Sequence, residues 1–176
     1  MAVGVESCQE TNPRRSRSRS TAKKRGDTAP DFTLPDDNGD PRTLSGFLDS
    51  GPVVLFFYPA AMTGGCTAES CHFRDLAKEF GEVGAHRVGI SPDSVRTQRE
   101  FAANNGFGYP LLSDVDGAVA KQFGVWRRFS PLHAKRHTFV IDTDHKILEV
   151  IKSELKFTVH ADTALAVLRE RAAKGV

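Results

Sequence analysis

The feature that most constrains the fold is an unbroken apolar segment at residues 52–58, which reads Pro-Val-Val-Leu-Phe-Phe-Tyr. Aliphatic, β-branched and aromatic side chains without a polar interruption predict a strand that is buried on both faces. Such strands are typical of parallel sheets covered by helices. Farther along, apolar residues recur at the i, i+3, i+4, i+7 spacing of an amphipathic helix, at Phe73, Leu76, Ala77 and Phe80. We therefore expect a strand, a loop and a helix in that order.

The segment between this strand and helix contains two of the three cysteines of the chain, Cys66 and Cys71. Cys66 is predicted to lie at or near the first turn of the helix. There the unpaired backbone N–H groups and the positive end of the helix dipole favour a thiolate. A buried, unreactive cysteine is the alternative, but burial alone requires neither Gly64-Gly65 in front nor a second cysteine behind. The placement therefore favours a reactive cysteine.

The spacing of Cys66 and Cys71 limits how they can bond. Five residues of continuous helix separate two side chains by a rise of roughly 7.5 Å and a rotation of roughly 140°. A disulfide generally needs Cα atoms closer than about 7 Å and convergent Cβ directions. Two cysteines on one intact helix at this spacing cannot bond without local unwinding. The spacing predicts a pair that cycles between thiols and disulfide, with the first turns of the helix melting on oxidation.

The remaining segments predict the architecture. Phe32 and Leu34 alternate with polar residues and precede a turn at residues 36–40, which predicts an N-terminal β-hairpin. The later elements are a buried strand at 87–90, a helix with its capping residues at 91–94, a strand at 111–112, a short helix at 117–123, strands at 137–142 and 146–151, and a last helix with Ala161, Leu165, Leu168 and Ala172 inward. This order predicts an α/β fold with a central mixed β-sheet flanked by helices.

Residues 1–25 form a basic segment rich in Arg and Ser, and residues 13–25 contain no acidic or large apolar residue. We expect residues 1–25 to be a disordered tail, which includes Cys8, and residues 26–176 to form the folded domain. A nucleic-acid-binding arm is one interpretation of the tail. A solvated extension is favoured, because no aromatic residues for base stacking are interleaved.

Targeting signals are weak. The Arg14-Arg15 pair resembles a twin-arginine signal, but no apolar segment follows it within the tail. No run in the chain is long enough to span a bilayer. We therefore expect a cytoplasmic protein without membrane contact. In a reducing compartment a pair of cysteines is more often catalytic or metal-binding than structural.

The pattern Pro59-x-x-x-Thr63-x-x-Cys66 resembles the active-site signature of the peroxiredoxins, and the second cysteine at position 71 is similar to their bacterioferritin-comigratory (PrxQ) subfamily. The similarity extends from about Gly26 to near the C-terminus, through blocks at 26–32, 73–76, 88–91, 109–114 and 138–142. It implies a thioredoxin-like fold and a thiol-dependent peroxidase that reduces hydrogen peroxide and organic hydroperoxides. One departure is Gly64, where this subfamily usually has proline. Glycine fixes the turn less than proline does.

The resemblance also implies a role for each site residue. Cys66 would be the peroxidatic nucleophile, which peroxide oxidises to a sulfenic acid. Thr63 would hydrogen-bond and orient the peroxide, and Pro59 would cover the site and exclude water. Backbone N–H groups at Gly65 and Cys66 would donate where negative charge develops. Arg136, just before a predicted strand, would hold the thiolate and polarise the peroxide. A solvated charge at the strand end is the alternative for Arg136.

The rest of the implied cycle involves Cys71. It would attack the Cys66 sulfenic acid and form an intramolecular disulfide, which thioredoxin or a similar dithiol would reduce. No dimer is needed for this step, so we expect a monomer. For Glu69 we expect a structural or orienting role. The implied cycle needs no cofactor and no metal. The six histidines are scattered without paired metal-ligand spacing, which also argues against a metal site.

Two other functions are consistent with parts of the sequence. A thioredoxin-like disulfide reductase is one of them, but such enzymes use Cys-x-x-Cys, whereas four residues separate Cys66 from Cys71. The other is a non-catalytic binding protein that uses the basic tail on nucleic acid. Peroxide consumption by the domain at residues 26–176 distinguishes the peroxidase from both.

Overall fold

The structure, a computed structural model, describes residues 22–175. The strands in this range are β1 Thr33–Pro35, β2 Pro41–Thr43, β3 Val53–Phe57, β4 His86–Ser91, β5 Leu111–Ser113, β6 His137–Ile141 and β7 Ile147–Lys152. The helices are α1 Leu44–Leu48, α2 Gly64–Asp75, α3 Ala77–Glu82, α4 Val95–Asn105, α5 Ala118–Gln122 and α6 Thr158–Ala173.

The central sheet contains five strands in the order β5-β4-β3-β6-β7. β3 pairs in parallel with β4 and antiparallel with β6, while β4 and β5 are parallel and β6 and β7 are antiparallel. The predicted mixed sheet of a thioredoxin-like fold is confirmed. Every residue of β3 is buried, as the apolar run at 52–58 indicated.

Alternate residues of β3 contribute to two separate cores, one on each face of the sheet. One core contains Val53, Leu55 and Phe57 together with residues of α1 and α5. The other core contains Val54, Phe56 and Tyr58 together with residues of α2, α3, α4 and α6. Because helices cover both faces, β3 is buried on both sides, and its C-terminal end leads directly into the loop before α2.

The predicted N-terminal hairpin is confirmed as the antiparallel pair β1 and β2. The Asp36 side chain closes the connection by accepting hydrogen bonds from the backbone N–H groups of Asn38 at 2.9 Å and Asp40 at 3.0 Å. Gly39 has a φ of 91°, a conformation that glycine adopts without strain. An isolated bridge from Asp36 to Leu112 attaches the hairpin to the edge of the central sheet.

The sequence predicted a single helix that includes both Phe73 and Phe80. This prediction is wrong, because the helix breaks at Leu76 into α2 and α3. The Phe73 carbonyl, which would accept from Ala77 in a regular helix, instead accepts from Arg87 Nη1 at 2.6 Å. A side chain that takes a helix carbonyl in this way is a known cause of breaks. Phe73 and Phe80 are buried as expected, but Ala77 is exposed.

The last helix ends with Lys174 as its C-cap, followed by Gly175 at a φ of 72°. Its inward face differs at the end: Ala161, Leu165 and Leu168 are buried, whereas Ala172 is exposed.

The basic tail was predicted to be disordered over residues 1–25. Residues 1–21, which include Cys8, lie outside the described residues. The boundary at Gly26 therefore stays a prediction. From Lys23 onward the backbone contacts the domain, since Lys23 N donates to the Phe123 carbonyl at 3.1 Å. Between residues 22 and 175 no helix is long and apolar enough to cross a membrane.

Candidate active site

The loop between β3 and α2 is held by the neighbouring loop after β4. Asp93 Oδ2 accepts a hydrogen bond from the Ala61 backbone N–H at 2.7 Å and another from Ser91 Oγ at 2.7 Å. Met62 has a φ of 61°, which is uncommon for a residue other than glycine. Thr63 returns to an extended conformation and is the N-cap of α2. A carboxylate and a left-handed residue thus fix the direction in which α2 starts.

Cys66 is the third residue of α2 and is fully buried. The first N–H groups of a helix have no intrahelical acceptor, so this turn presents donors and the positive end of the helix dipole to the sulfur. The predicted position in the first turn is confirmed. The sulfur also accepts a hydrogen bond from Arg136 Nη2 at 3.2 Å.

Arg136 comes from the segment just before β6 and is buried between α2 and α6. Its guanidinium bridges two residues of α2, because Nη1 donates to Glu69 Oε2 while Nη2 donates to Cys66. Burial alone would lower the pKa of Arg136, but the neighbouring Glu69 and Cys66 outweigh burial and raise that pKa. The side chain is therefore a permanent cation beside the sulfur, and the alternative of a solvated strand-end charge is wrong.

The aromatic ring of Phe157, the N-cap of α6, covers the guanidinium of Arg136. Arg136 Cζ lies 4.9 Å from the centre of the ring, within the range of a cation–π interaction. The ring also explains Gly65: a Cβ there would meet Phe157 Cζ at 2.7 Å and Arg136 Nη2 at 3.4 Å. Glycine at position 65 lets the backbone of α2 approach both groups. Nothing in the local sequence around Phe157 indicated this role.

Glu69 and His160 lie close to Arg136, and both are fully buried polar residues. Burial raises the pKa of Glu69 to about 7, although the charge and hydrogen bond of Arg136 act in the opposite direction. His160 Nδ1 lies 3.7 Å from Glu69 Oε1 and 2.9 Å from Thr138 Oγ1. The sequence suggested an orienting role for Glu69, but it gave no reason to place His160 here.

The remaining predicted site residues lie on the loop before α2. Thr63 is exposed, and its Oγ1 donates a hydrogen bond to the Ala60 carbonyl at 3.0 Å, so the hydroxyl oxygen keeps lone pairs for another donor. Pro59 is half-buried directly after the strand end. Gly64, the departure from the usual proline, is the first residue of α2, and within the described part of the chain a Cβ there would meet no atom within 4 Å.

Cys71 lies on the same intact helix as Cys66, and both are free thiols. It is half-buried, with its sulfur 3.9 Å from Asn105 Oδ1 at the end of α4. The backbone around it is held from outside the helix, since the Tyr109 hydroxyl donates to the Ser70 carbonyl at 2.7 Å. The predicted helical separation of the two cysteines is therefore present, and α2 must change locally before they can bond.

Two further observations concern ligands and the nearby loop. Among residues 22–175, no group of three or more His, Cys, Asp or Glu side chains is arranged to hold a metal ion. Trp126 stacks on the His133 ring with centroids 4.8 Å apart. Its contact is local packing within the loop that leads to Arg136.

Comparison with known proteins identifies the class. Residues 25–150 match the AhpC/TSA family. The chain has 38% identity over 156 residues to the peroxiredoxin Bcp of Escherichia coli, covering 85% of this chain and 97% of that protein. The crystal structure of the peroxidoxin BcpB from Mycobacterium tuberculosis is similar, with a TM-score of 0.81 and 63% identity over 84% of this chain and 97% of that chain. A structure of the Xanthomonas campestris bacterioferritin comigratory protein has a TM-score of 0.73 and 32% identity, covering 80% of this chain and 92% of that one.

The chain belongs to the AhpC/TSA family, and within it to the peroxiredoxins. It is a thiol peroxidase that acts on peroxide, as the resemblance of the motif around Cys66 implied.

Proposed function

We propose that Cys66 is the peroxidatic nucleophile of this enzyme. The observation that carries the proposal is the hydrogen bond from Arg136 Nη2 to Cys66 Sγ at the first turn of α2. A guanidinium does not lose its proton at physiological pH, so it remains a cation beside the sulfur and stabilises the thiolate. The thiolate attacks the terminal oxygen of the peroxide and the O–O bond breaks, which leaves a sulfenic acid on Cys66. The leaving oxygen takes up a proton and departs as an alcohol or water.

The peroxide is bound by the groups that surround the sulfur. The Thr63 hydroxyl oxygen, whose hydrogen is directed at Ala60, accepts a hydrogen bond from the peroxide OH. Arg136 and the N–H groups of Gly65 and Cys66 donate to the oxygen on which negative charge develops. Pro59 covers the strand end and excludes water. These donors are held in place before peroxide arrives, because α2 and the Asp93 contact fix the loop.

Cys71 is the resolving cysteine, which attacks the Cys66 sulfenic acid and releases water as the disulfide forms. The pair cannot meet while α2 is intact, so the turns at residues 64–70 unwind. We place the end of the unwound part before Phe73, whose ring stacks on Phe56 of β3 with centroids 4.2 Å apart. The Tyr109 bond to the Ser70 carbonyl is broken as the segment opens.

A dithiol such as thioredoxin returns the enzyme to its reduced form by attacking the disulfide, and it supplies two electrons that replace those the peroxide took while it becomes a disulfide itself. The substrates are hydrogen peroxide and organic hydroperoxides. Support for the latter comes from the Xanthomonas campestris relative, whose structure was studied for alkyl peroxide reduction. No cofactor takes part, since both redox groups are thiols of this chain.

We further infer a cytoplasmic monomer. An intramolecular disulfide makes a second subunit unnecessary for turnover. Residues 26–176 form the peroxidase domain, and the basic, Arg- and Ser-rich residues 1–25 precede it. The protein acts without membrane contact.

The test is peroxide turnover with a thioredoxin system in Cys66→Ser, Cys71→Ser and the matched control Cys8→Ser. Cys66→Ser is expected to lose reaction with peroxide, and Cys71→Ser is expected to form a sulfenic acid but no intramolecular disulfide. Cys8→Ser is expected to match the wild type. Full turnover by Cys66→Ser contradicts the assignment of the nucleophile. An intramolecular disulfide in Cys71→Ser contradicts that of the resolving residue.

A further inference from the structure

Behind Arg136 lies a buried carboxyl group with one oxygen unused. Glu69 Oε2 accepts from Arg136, whereas Oε1 has no hydrogen-bond partner among the described residues. His160 Nδ1, on α6, lies 3.7 Å from Glu69 Oε1. A buried carboxylate oxygen without a donor costs free energy, so this environment destabilises the ionised form of Glu69.

The orientation of His160 follows from its two hydrogen bonds. Nε2 lies 2.9 Å from the Ser153 carbonyl, and because a carbonyl only accepts, Nε2 carries a hydrogen. Burial lowers the pKa of His160, and the charge of Arg136 lowers it further, so the ring is neutral. Nδ1 is then an acceptor, which the Thr138 hydroxyl meets at 2.9 Å. Glu69 Oε1 therefore faces a ring nitrogen that has no hydrogen to donate.

Protonation of Glu69 removes this conflict, since a neutral carboxyl group has no charge at Oε1 that needs a donor, and the single lone pair of His160 Nδ1 stays with the Thr138 hydroxyl. The other titratable groups around the Glu69 carboxyl either favour its protonated form or are themselves neutral. Glu154, on the β7–α6 loop, raises the pKa of Glu69, and burial keeps the Tyr109 phenol protonated by raising its pKa. Arg136 is the one group described here that favours the carboxylate.

We propose that Glu69 and His160 are a positioning pair that keeps Glu69 neutral, so that the positive charge of Arg136 stabilises the Cys66 thiolate. Glu69 holds a proton while Cys66 is a thiolate and releases it when Cys66 becomes a sulfenic acid. The inference rests on the proposed function of Cys66. The buried site then contains one cation and one anion at each stage, which avoids an uncompensated buried charge.

The step is balanced. A thiolate, a hydroperoxide and a carboxylic acid become a sulfenic acid, an alcohol and a carboxylate. The S–O bond forms and the O–O bond breaks, sulfur loses two electrons to the peroxide, and the proton that Glu69 releases equals the one that the leaving oxygen takes up. Glu69 acts through Arg136 and exchanges its proton with solvent, so it need not touch the substrate.

The first test is the pH dependence of Cys66 oxidation by hydrogen peroxide, counted by mass spectrometry in a Cys71→Ser background. Glu69→Gln imitates the protonated carboxyl. Because Glu69 is already neutral beside the thiolate, we expect the pH at which the rate is half-maximal to stay within about half a unit of the wild type, while the plateau falls no more than about threefold. If Glu69 must instead be an anion that anchors Arg136, the rate falls more than about tenfold at every pH, which overturns the proposal.

The second test is His160→Asn, alone and combined with Glu69→Gln. The asparagine amide supplies a donor to Glu69 Oε1 and stabilises the carboxylate, so the half-maximal pH is expected to rise. With glutamine at position 69 there is no carboxylate to stabilise, and the shift disappears. An equal shift in both backgrounds shows a merely structural role and overturns the pairing. The matched control is His72→Asn: His72 joins α2 to α6 through Asp162 at 2.7 Å, is partly exposed, and is expected to cause no shift.

A third measurement does not depend on the folding of His160→Asn. Infrared difference spectra of the Cys71→Ser protein, before and after peroxide, should show loss of the carbonyl stretch of a protonated carboxyl group. This signal should be absent from Glu69→Gln, and its absence from Cys71→Ser itself overturns the proposal. If Cys66 in Cys71→Ser is not oxidised at all, the proposed function fails. If Cys66 is oxidised without these signatures, only the present inference fails.

Discussion

Replacing Gly64 with proline tests whether the opening of α2 limits disulfide formation. Gly64 is the first residue of α2. Proline is best tolerated at this position of a helix, because the backbone N–H that it lacks would have no intrahelical acceptor there. In the described part of the chain, an added Cβ would meet nothing within 4 Å. Thr63, with φ −87° and ψ 149°, already has the extended conformation required of a residue before proline.

The magnitude follows from chain entropy. Proline at a compatible site stabilises the folded conformation by about 0.4–1 kcal/mol, chiefly by restricting the unfolded segment. The opened form of α2 therefore becomes about two- to fivefold rarer. We expect conversion of the Cys66 sulfenic acid to the Cys66–Cys71 disulfide to slow by that factor. The reaction of Cys66 with peroxide should be unchanged, because it occurs in the intact helix.

Rapid quenching with a thiol-alkylating reagent, followed by mass spectrometry, measures the two steps separately. The matched control is Gly81→Ala in α3, where an added Cβ also meets nothing within 4 Å of the described chain. It should stabilise the domain without slowing the disulfide step. If Gly64→Pro raises the stability of the folded protein but forms the disulfide at the wild-type rate, the opening of α2 is not what limits resolution.

Three further predictions concern the site and its surroundings. Arg136→Lys keeps the charge but loses the fork that reaches Cys66 and Glu69, so the single-turnover peroxide rate is expected to fall about 10²-fold or more; a rate near that of the wild type contradicts the role of the guanidinium. Gly65→Ala forces the Phe157 ring aside and is expected to destabilise the protein by about 1–3 kcal/mol in urea, and a value near zero refutes the close approach. Burial lowers the pKa of His137 in the folded protein to about 4. Between about pH 6.5 and 4 the unfolded chain therefore binds a proton at His137 that the folded protein does not, and the free energy of unfolding falls as the pH drops through this range. In His137→Gln, the loss of unfolding free energy over this pH range should be smaller by about 1–3 kcal/mol, as measured by urea unfolding at several pH values. The same pH dependence as in the wild type would contradict this prediction.

The sequence predicted the centre of the site because its signals are local. The apolar run before the loop, the glycines and the helical period after them place Cys66 in the first turn of α2 without tertiary information. Cys71 follows by counting residues along the same helix. Arg136 required the resemblance to a family, since a cation before a strand does not by itself indicate what it faces.

The parts that the sequence did not predict depend on packing between distant segments. His160 meets Glu69 because α6 crosses α2, and Phe157 is brought over Gly65 by the same crossing. A histidine within a helix gives no local sign of such a contact. The break at Leu76 likewise depends on Arg87, a residue of β4 whose side chain takes a carbonyl from α2.

The most direct test of the account is hydrogen exchange of the α2 amides, measured by mass spectrometry on the reduced protein and on the peroxide-oxidised disulfide form. We expect protection throughout α2 in the reduced protein. After oxidation, residues 64–71 should exchange rapidly while β3 stays protected. Equal protection of α2 in both forms would contradict the claim that the segment carrying Cys66 is both the site of reaction and the part that unfolds.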